Sequence, residues 1–243
     1  MDSYRYAYLA GDVFFLVLWL VLYVLMARSR KAMLWSSLTL VWVAPLFEWL
    51  NKDYWSPEFI WRIEIGPFFF GIESLILGFS VIGISAGIFD WRHRRGDGAR
   101  EVTRVTASSY WRLAVAGLLA AGPIVALTFL FGVNSVHAHI YVCTVLAVAV
   151  IWQVKWQWKL PSLITSLVVT FVMAAFYFAW FLLLYPDIID RWWHEEILWG
   201  PTWGEVPLEE FLWGAANALY LGPVIRYCMD KGFEKEMEIG TRT

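Results

Sequence analysis

Five carboxylic acids lie inside or at the ends of long apolar stretches, where a charged side chain is costly. They are Asp12, Glu48, Glu73, Glu209 and Glu210. A charge at the bilayer centre costs about 2.5 kcal/mol or more, so acids in such places are candidates for function. A carboxyl group in apolar surroundings holds its proton readily, and two neighbouring carboxyl groups can divide into an acid and a base. These residues therefore indicate proton transfer to and from an apolar substrate.

The five acids differ in how easily a structural role explains them. Asp12 and Glu48 lie close enough to helix ends for their side chains to reach the membrane interface. Glu209 and Glu210 fall in the first turn of a helix, where negative charge is favourable. Adjacent helical residues point about 100° apart, so capping easily explains only one of the two. Glu73 lies deeper, in wholly apolar surroundings. We predict Glu73, Glu209 and Glu210 as catalytic residues, with Glu48 in support.

Other kinds of chemistry find little support in the sequence. No nucleophile motif, glycine-rich phosphate loop or acidic magnesium run is present. His137 and His139 are two residues apart at a helix start and point away from each other, so they make a poor metal pair. Cys143 and Cys228 lie in apolar stretches, as inert core thiols do. We expect no cofactor and no metal, and the net charge of −2 offers no basic field for nucleic acid.

The composition is that of an integral membrane protein. Of the 243 residues, 60% are hydrophobic and only 16% are charged, against about 25% charged in a soluble domain. A membrane helix needs about 20 mostly apolar residues, and seven segments of this kind can be drawn. They are residues 8–27, 33–50, 67–89, 110–132, 136–156, 160–185 and 207–229.

The basic residues give these seven segments an orientation. Counted along the chain, 15 of the 19 Lys and Arg residues fall on one side of the predicted membrane. The positive-inside rule places that side in the cytoplasm. The N-terminus is then outside and the C-terminus inside. Acidic residues show the opposite bias, since 14 of the 21 lie on or toward the outer side.

Two helical hairpins of the sequence resemble each other. Aligning Glu73 with Glu209 also pairs Gly78 with Gly214, and a Trp-rich acidic loop precedes each hairpin's second helix. Parallel repeats commonly form a site at their interface. We predict an all-α fold in one membrane domain, in which two parallel three-helix repeats, 1–98 and 135–235, are joined by a linking helix at 108–132.

The stretch Pro207-Leu208-Glu209-Glu210 resembles the Pro-x-Glu-Glu signature of the lycopene cyclase domain, a membrane family of bacterial, archaeal and fungal type. In that family each domain has about three membrane helices and two domains are needed, either as separate subunits or fused. The fused arrangement is similar to the predicted repeats. The first repeat departs from the signature, because it reads Gly71-Ile72-Glu73-Ser74 and keeps only one Glu.

The resemblance implies an isomerase of carotenoid biosynthesis that works without net redox change. A carboxylic acid protonates the terminal double bond of a linear carotenoid, the cation closes a six-membered ring, and a base removes a ring proton. Aromatic faces in a dry site stabilise such a cation. The resemblance also implies a lipophilic polyene partner and a multi-pass protein of a prokaryotic plasma membrane; membrane lipids surround the chain, and an oligomer is compatible with it. We predict that Trp213, Asn217, Phe70 and Trp193 contact the substrate.

Three alternatives stay open at this point. A related carotenoid or isoprenoid hydratase begins with the same protonation, and water then captures the cation. A transporter would also use repeats and intramembrane acids, although no polar ladder leads to the inner side. A non-catalytic seven-helix protein that binds a lipophilic ligand is the third. Its retinal-binding form needs a lysine in the last span, and none lies between Pro207 and Met229.

Overall fold

The computed structural model describes residues 3–97, 106–153 and 156–240, and over these residues the fold is a helical bundle with two short β-hairpins. A π-helix, Phe178–Leu184, extends α7. The helices are α1 Ala7–Leu25, α2 Arg30–Leu40, α3 Val43–Leu50, α4 Ile72–Asp97, α5 Ala107–Phe131, α6 Ser135–Gln153, α7 Lys159–Tyr177, α8 Ile188–Trp192 and α9 Leu208–Gly240, and the strands are β1 Arg62–Ile65, β2 Phe68–Gly71, β3 Thr202–Trp203 and β4 Val206–Pro207.

Each of the seven predicted segments coincides with one of the longer helices or with the α2–α3 pair, and the all-α class is confirmed. By length and composition, four helices of the described residues could cross a membrane. The α2–α3 pair, bent by 53°, could be a fifth span. Pro45 lies in the first turn of α3, where its missing N–H is tolerated.

The count of seven spans and the orientation stay predictions. Of the basic residues behind that orientation, Arg100, Arg104, Lys155 and Arg242 lie outside the described residues, as do the boundary residue 98 and Asp2.

The two β-hairpins lie at the same end of the bundle, each directly before a long helix. Strands β1 and β2 pair antiparallel before α4, and β3 and β4 pair antiparallel before α9. Glu73 therefore stands in the first turn of α4, as Glu209 and Glu210 do in α9, and the prediction that Glu73 lies deeper in its helix was wrong, because the hairpin takes up the residues before Ile72. We call this the hairpin end of the bundle.

Helices α4 and α9 occupy the centre of the bundle. Helix α4 packs against α1 and α2, α9 packs against α6 and α7, and the two central helices pack against each other. At the end opposite the hairpins, Arg226 of α9 binds the buried carboxylate of Asp90 of α4 at 2.7 Å, and Arg94 binds the same carboxylate at 2.8 Å. These contacts are what two three-helix units would give, and the internal repeat itself stays a prediction.

Two glycines allow the central helices to approach their neighbours closely. A Cβ atom on Gly78 would collide with Ala44 of α3, and one on Gly214 would collide with the sulfur of Met173 of α7. These are the two glycines that the sequence alignment pairs. In both halves of the chain, the absence of a side chain lets the central helix contact the helix before its hairpin.

Replacing Gly78 by Ala is expected to lower the free energy of unfolding by about 1–3 kcal/mol, because the added methyl group overpacks the contact with Ala44. Thermal unfolding of the detergent-solubilised protein measures this. Gly122→Ala is the matched control: the position is also helical, but its Cβ would meet nothing within 4 Å. The control should unfold at an equal or higher temperature. Equal effects at the two positions would contradict the packing argument.

Candidate active site

A cavity of about 170 Å³ lies inside the bundle at the hairpin end. All of the longer helices contribute to its walls, which are mostly aliphatic and aromatic. Engineered apolar cavities of about 150 Å³ hold ligands such as benzene, so this one has room for a compact apolar group. Its few polar side chains include three of the five acids singled out in the sequence: Asp12, Glu48 and Glu210.

Two Trp-rich loops meet over the cavity and form its roof, which we define as residues 54–56 paired with residues 192–194. The Ser56 N–H donates to the carbonyl oxygen of Trp192, the His194 N–H donates to that of Tyr54, and both distances are 2.8 Å. Trp55 and Trp193 form a β-bridge between them. The paired loops are those that precede the two similar hairpins in the sequence. The roof therefore brings the acidic ends of the two halves together.

Glu210 is buried and receives two hydrogen bonds at the edge of the cavity. The Tyr177 hydroxyl donates to Oε2 at 2.6 Å, and the Trp193 indole N–H donates to Oε1 at 2.9 Å. Hydrogen bonds to an ionised carboxylate are stronger than those between neutral groups. The two donors therefore hold the Glu210 carboxyl group in a fixed orientation beside an apolar space.

Glu48 is the corresponding carboxyl group on the other side of the cavity. Its Oε2 atom accepts a hydrogen bond from the Ser74 hydroxyl at 2.9 Å and another from the Tyr8 hydroxyl at 3.2 Å. Glu48 comes from α3, and Ser74 stands where the alignment places Glu210. The second Glu that the first repeat lacks is thus matched by a carboxyl group from the preceding helix.

In the two halves of the chain, the carboxyl group and the hydroxyl group of the hydrogen-bonded pair come from opposite helices. In the second half of the chain, a hydroxyl on the preceding helix (Tyr177) meets a carboxyl in the motif (Glu210). In the first half, a carboxyl on the preceding helix (Glu48) meets a hydroxyl in the motif (Ser74). Sequence reasoning missed Ser74, Tyr8 and Tyr177. Only the alignment of Ser74 with Glu210 carried a signal, because the tyrosines reach the site through long-range contacts.

Glu73 and Glu209, which begin the two central helices, hold the preceding loops instead of lining the cavity. Oε1 of Glu73 accepts the backbone N–H of Ile60 at 2.6 Å and that of Trp61 at 3.2 Å. Oε1 of Glu209 accepts the backbone N–H of Trp199 at 2.5 Å. Neither residue is among those that line the cavity. The catalytic roles predicted for them remain predictions.

Tyr54 of the roof lies close to both cavity glutamates. Burial, together with the nearby carboxyl groups of Glu210 and Glu48, raises the pKa of the Tyr54 phenol well above its usual value. The phenol is therefore neutral at physiological pH and adds no charge to the site.

Three of the four predicted substrate contacts line the cavity. These are Trp193, Trp213 and Asn217, whereas Phe70 packs against Phe68 in the β1–β2 hairpin and is not part of the lining. The indole ring of Trp193 also holds Glu210 in place. Which of these side chains contacts a substrate stays a prediction.

The two histidines singled out in the sequence bind different partners. His137 lies 3.3 Å from Oε1 of Glu209, and Nε2 of His139 lies 3.0 Å from Oδ1 of Asn217. Among the residues that the structure describes, no three His, Cys, Asp or Glu side chains lie close enough together to hold a metal ion.

The fold and the site together define a class: a helical membrane protein whose buried, mostly apolar cavity carries oriented carboxyl groups. The comparison with known families identifies the class further. Residues 134–228, which run from the start of α6 into α9 and include the Pro-x-Glu-Glu motif, match the lycopene cyclase family. This match is what the motif predicted, and it supports a carotenoid cyclase-like enzyme. No curated protein and no solved structure matches the chain.

Proposed function

We propose that the protein is a lycopene β-cyclase-like isomerase, which closes the end-group ring of a linear carotenoid through protonation and without net redox change. The observation that carries the proposal is the cavity that Glu48 and Glu210 share beneath the aromatic roof. The polyene would enter from the bilayer and place its end group there. The two halves of the chain would act as the two fused domains of the family, in a multi-pass protein of a prokaryotic plasma membrane.

The reaction needs stabilisation of a carbocation, and the cavity offers it from two sources. The carboxylates of Glu48 and Glu210 are each oriented by two hydrogen bonds. The rings of Trp55 and Trp193 lie against each other in the roof, with their centroids 6.0 Å apart. A cation over a desolvated aromatic face gains about 2 kcal/mol or more. Together these groups would favour the cation over the neutral polyene.

A base must then remove a ring proton, and we assign this role to Glu48 or Glu210, since both touch the cavity. Glu73 and Glu209 would act as positioning residues. Each fixes the loop that runs from the roof to its hairpin, and so the first turn of α4 or α9. In this arrangement the motif contributes one positioning carboxyl and one group that faces the substrate in each half.

Expression in a host that accumulates lycopene tests the proposal, with the pigments analysed by chromatography and mass spectrometry. Cyclisation gives a product of unchanged mass with a blue-shifted absorption spectrum. A product that is heavier by one water would replace the proposal with a hydratase. Unchanged lycopene in cells that contain the folded protein would contradict both enzyme functions for this substrate and would favour transport or binding.

A further inference from the structure

We infer that Asp12 is the catalytic acid, the group that donates the first proton to the polyene. This inference rests on the proposed function, because only a reaction that begins with protonation needs such a donor.

Asp12 lies in the cavity wall, in the second turn of α1. Only 1% of the Asp12 surface is exposed, and Asp12 lines the cavity. It stands one turn after Tyr8, whose hydroxyl binds Glu48. Glu48 lines the same cavity as Asp12. Asp12 therefore belongs to the same site as Glu48 and faces the same apolar space.

The surroundings of Asp12 differ from those of the two cavity glutamates in one decisive respect. Glu48 and Glu210 each receive two hydrogen bonds. Oδ2 of Asp12 is buried and has no hydrogen-bond partner among the described residues, and no ion pair to Asp12 is found within that part of the chain. A buried carboxylate without donors or a counter-charge is strongly unfavourable.

The neutral carboxylic acid is the form of Asp12 that these surroundings stabilise. The hydrogen-bonded carboxylate of Glu48 lines the same cavity, and it disfavours a second negative charge there. Where two carboxyl groups have environments that separate their proton affinities, the unsupported one serves as acid and the hydrogen-bonded one as base. This contrast assigns Asp12 as the acid and Glu48 as the base nearest to it.

The proton balance of the proposed cycle closes within this pair. Asp12 transfers its proton to one carbon of the terminal double bond, and the other carbon becomes the cation. The neighbouring double bond attacks that cation, a carbon–carbon bond forms, and the positive charge moves into the ring. Glu48 removes a ring proton and then returns a proton to the Asp12 carboxylate. Reactant and product have the same atoms, and no oxidant or reductant is needed.

Turnover of lycopene by the purified protein in D₂O tests the assignment, because it follows protonation apart from ring closure. Deuterium in recovered lycopene reports reversible protonation, and the cyclic pigment reports the whole reaction. Asp12→Asn should lose both signals, with turnover reduced roughly 10²- to 10⁴-fold. Glu48→Gln should lose the cyclic product and keep deuterium exchange. Asp187→Asn, at an exposed position, is the matched control and should keep both signals.

Asp12→Glu keeps a carboxylic acid and provides the second variant. It should restore deuterium exchange to well above the level of Asp12→Asn, and thermal unfolding measures whether each variant is folded. The assignment would be overturned if the wild-type protein cyclises lycopene and Asp12→Asn still gives the cyclic pigment or still exchanges deuterium into lycopene. The proposed function would then stand. Folded wild-type protein that gives neither exchange nor product would overturn both.

Discussion

Glu210→Gln is expected to lower carotenoid turnover by roughly 10²- to 10³-fold, because it removes one of the two cavity carboxylates that stabilise the carbocation. The amide keeps the shape of the side chain but carries no negative charge and is too weak a base to take up a proton. Pigment analysis in lycopene-accumulating cells, normalised to the amount of membrane-inserted protein, measures the effect. The melting temperature of the purified variant shows whether the fold survives.

Two neighbouring glutamates serve as controls for Glu210. Glu205→Gln changes an exposed carboxyl group in the turn between β3 and β4 and should leave turnover unchanged. Glu209→Gln keeps a carbonyl oxygen that can still accept the Trp199 N–H, so turnover should fall less than tenfold. Full activity of Glu210→Gln, or a larger loss in Glu209→Gln, would reverse the assignment of the two motif residues.

A double substitution in the first half of the chain is expected to restore part of the carotenoid turnover that a single substitution removes. Glu48→Gln should lower turnover about as much as Glu210→Gln does, because it removes the cavity carboxyl group of the first half. Adding Ser74→Glu returns a carboxyl group at the motif position, where the native Ser74 hydroxyl lies 2.9 Å from Glu48 Oε2. We expect the double variant to recover at least tenfold over Glu48→Gln alone, with the same pigment assay as the measurement.

The matched control for this rescue is Glu48→Gln combined with Ser74→Gln, which has the same added volume but no carboxyl group. It should stay inactive. Ser74→Ala alone removes one of the two hydrogen bonds to Glu48 and should lower turnover only modestly. Equal recovery of turnover in the two double variants would contradict the prediction that a carboxyl group at position 74 can replace the one at Glu48.

Much of the architecture could be predicted from composition and periodicity. Apolar runs of membrane length must form helices, since lipid offers no partner for an unpaired backbone group, and all seven runs contain them. The Pro-x-Glu-Glu motif was enough to predict the family whose model residues 134–228 match. The bend between α2 and α3 and the π-helix after α7 were not predicted, because they depend on local packing and not on hydropathy.

The sequence predicted less of the candidate site than of the architecture. The sequence alone placed scarce acids near one end of the helices and paired the two hairpins, because charge in an apolar segment is costly enough to stand out. It could not decide that Glu210 faces the cavity while Glu209 binds a loop. Adjacent residues always diverge on a helix, and the rotation of that helix is set by its neighbours.

Only the tertiary structure joined residues that are distant in the chain. Glu48 and Ser74 meet across 26 positions, and Tyr177 and Glu210 meet across 33. Asp12 reaches the same cavity from the first helix. Such contacts leave no local pattern, because a hydrogen bond between helices depends on packing and not on spacing. The sequence determined which kind of chemistry the protein can carry, and the fold decided which carboxyl groups face the substrate and which of them lack a hydrogen-bond partner.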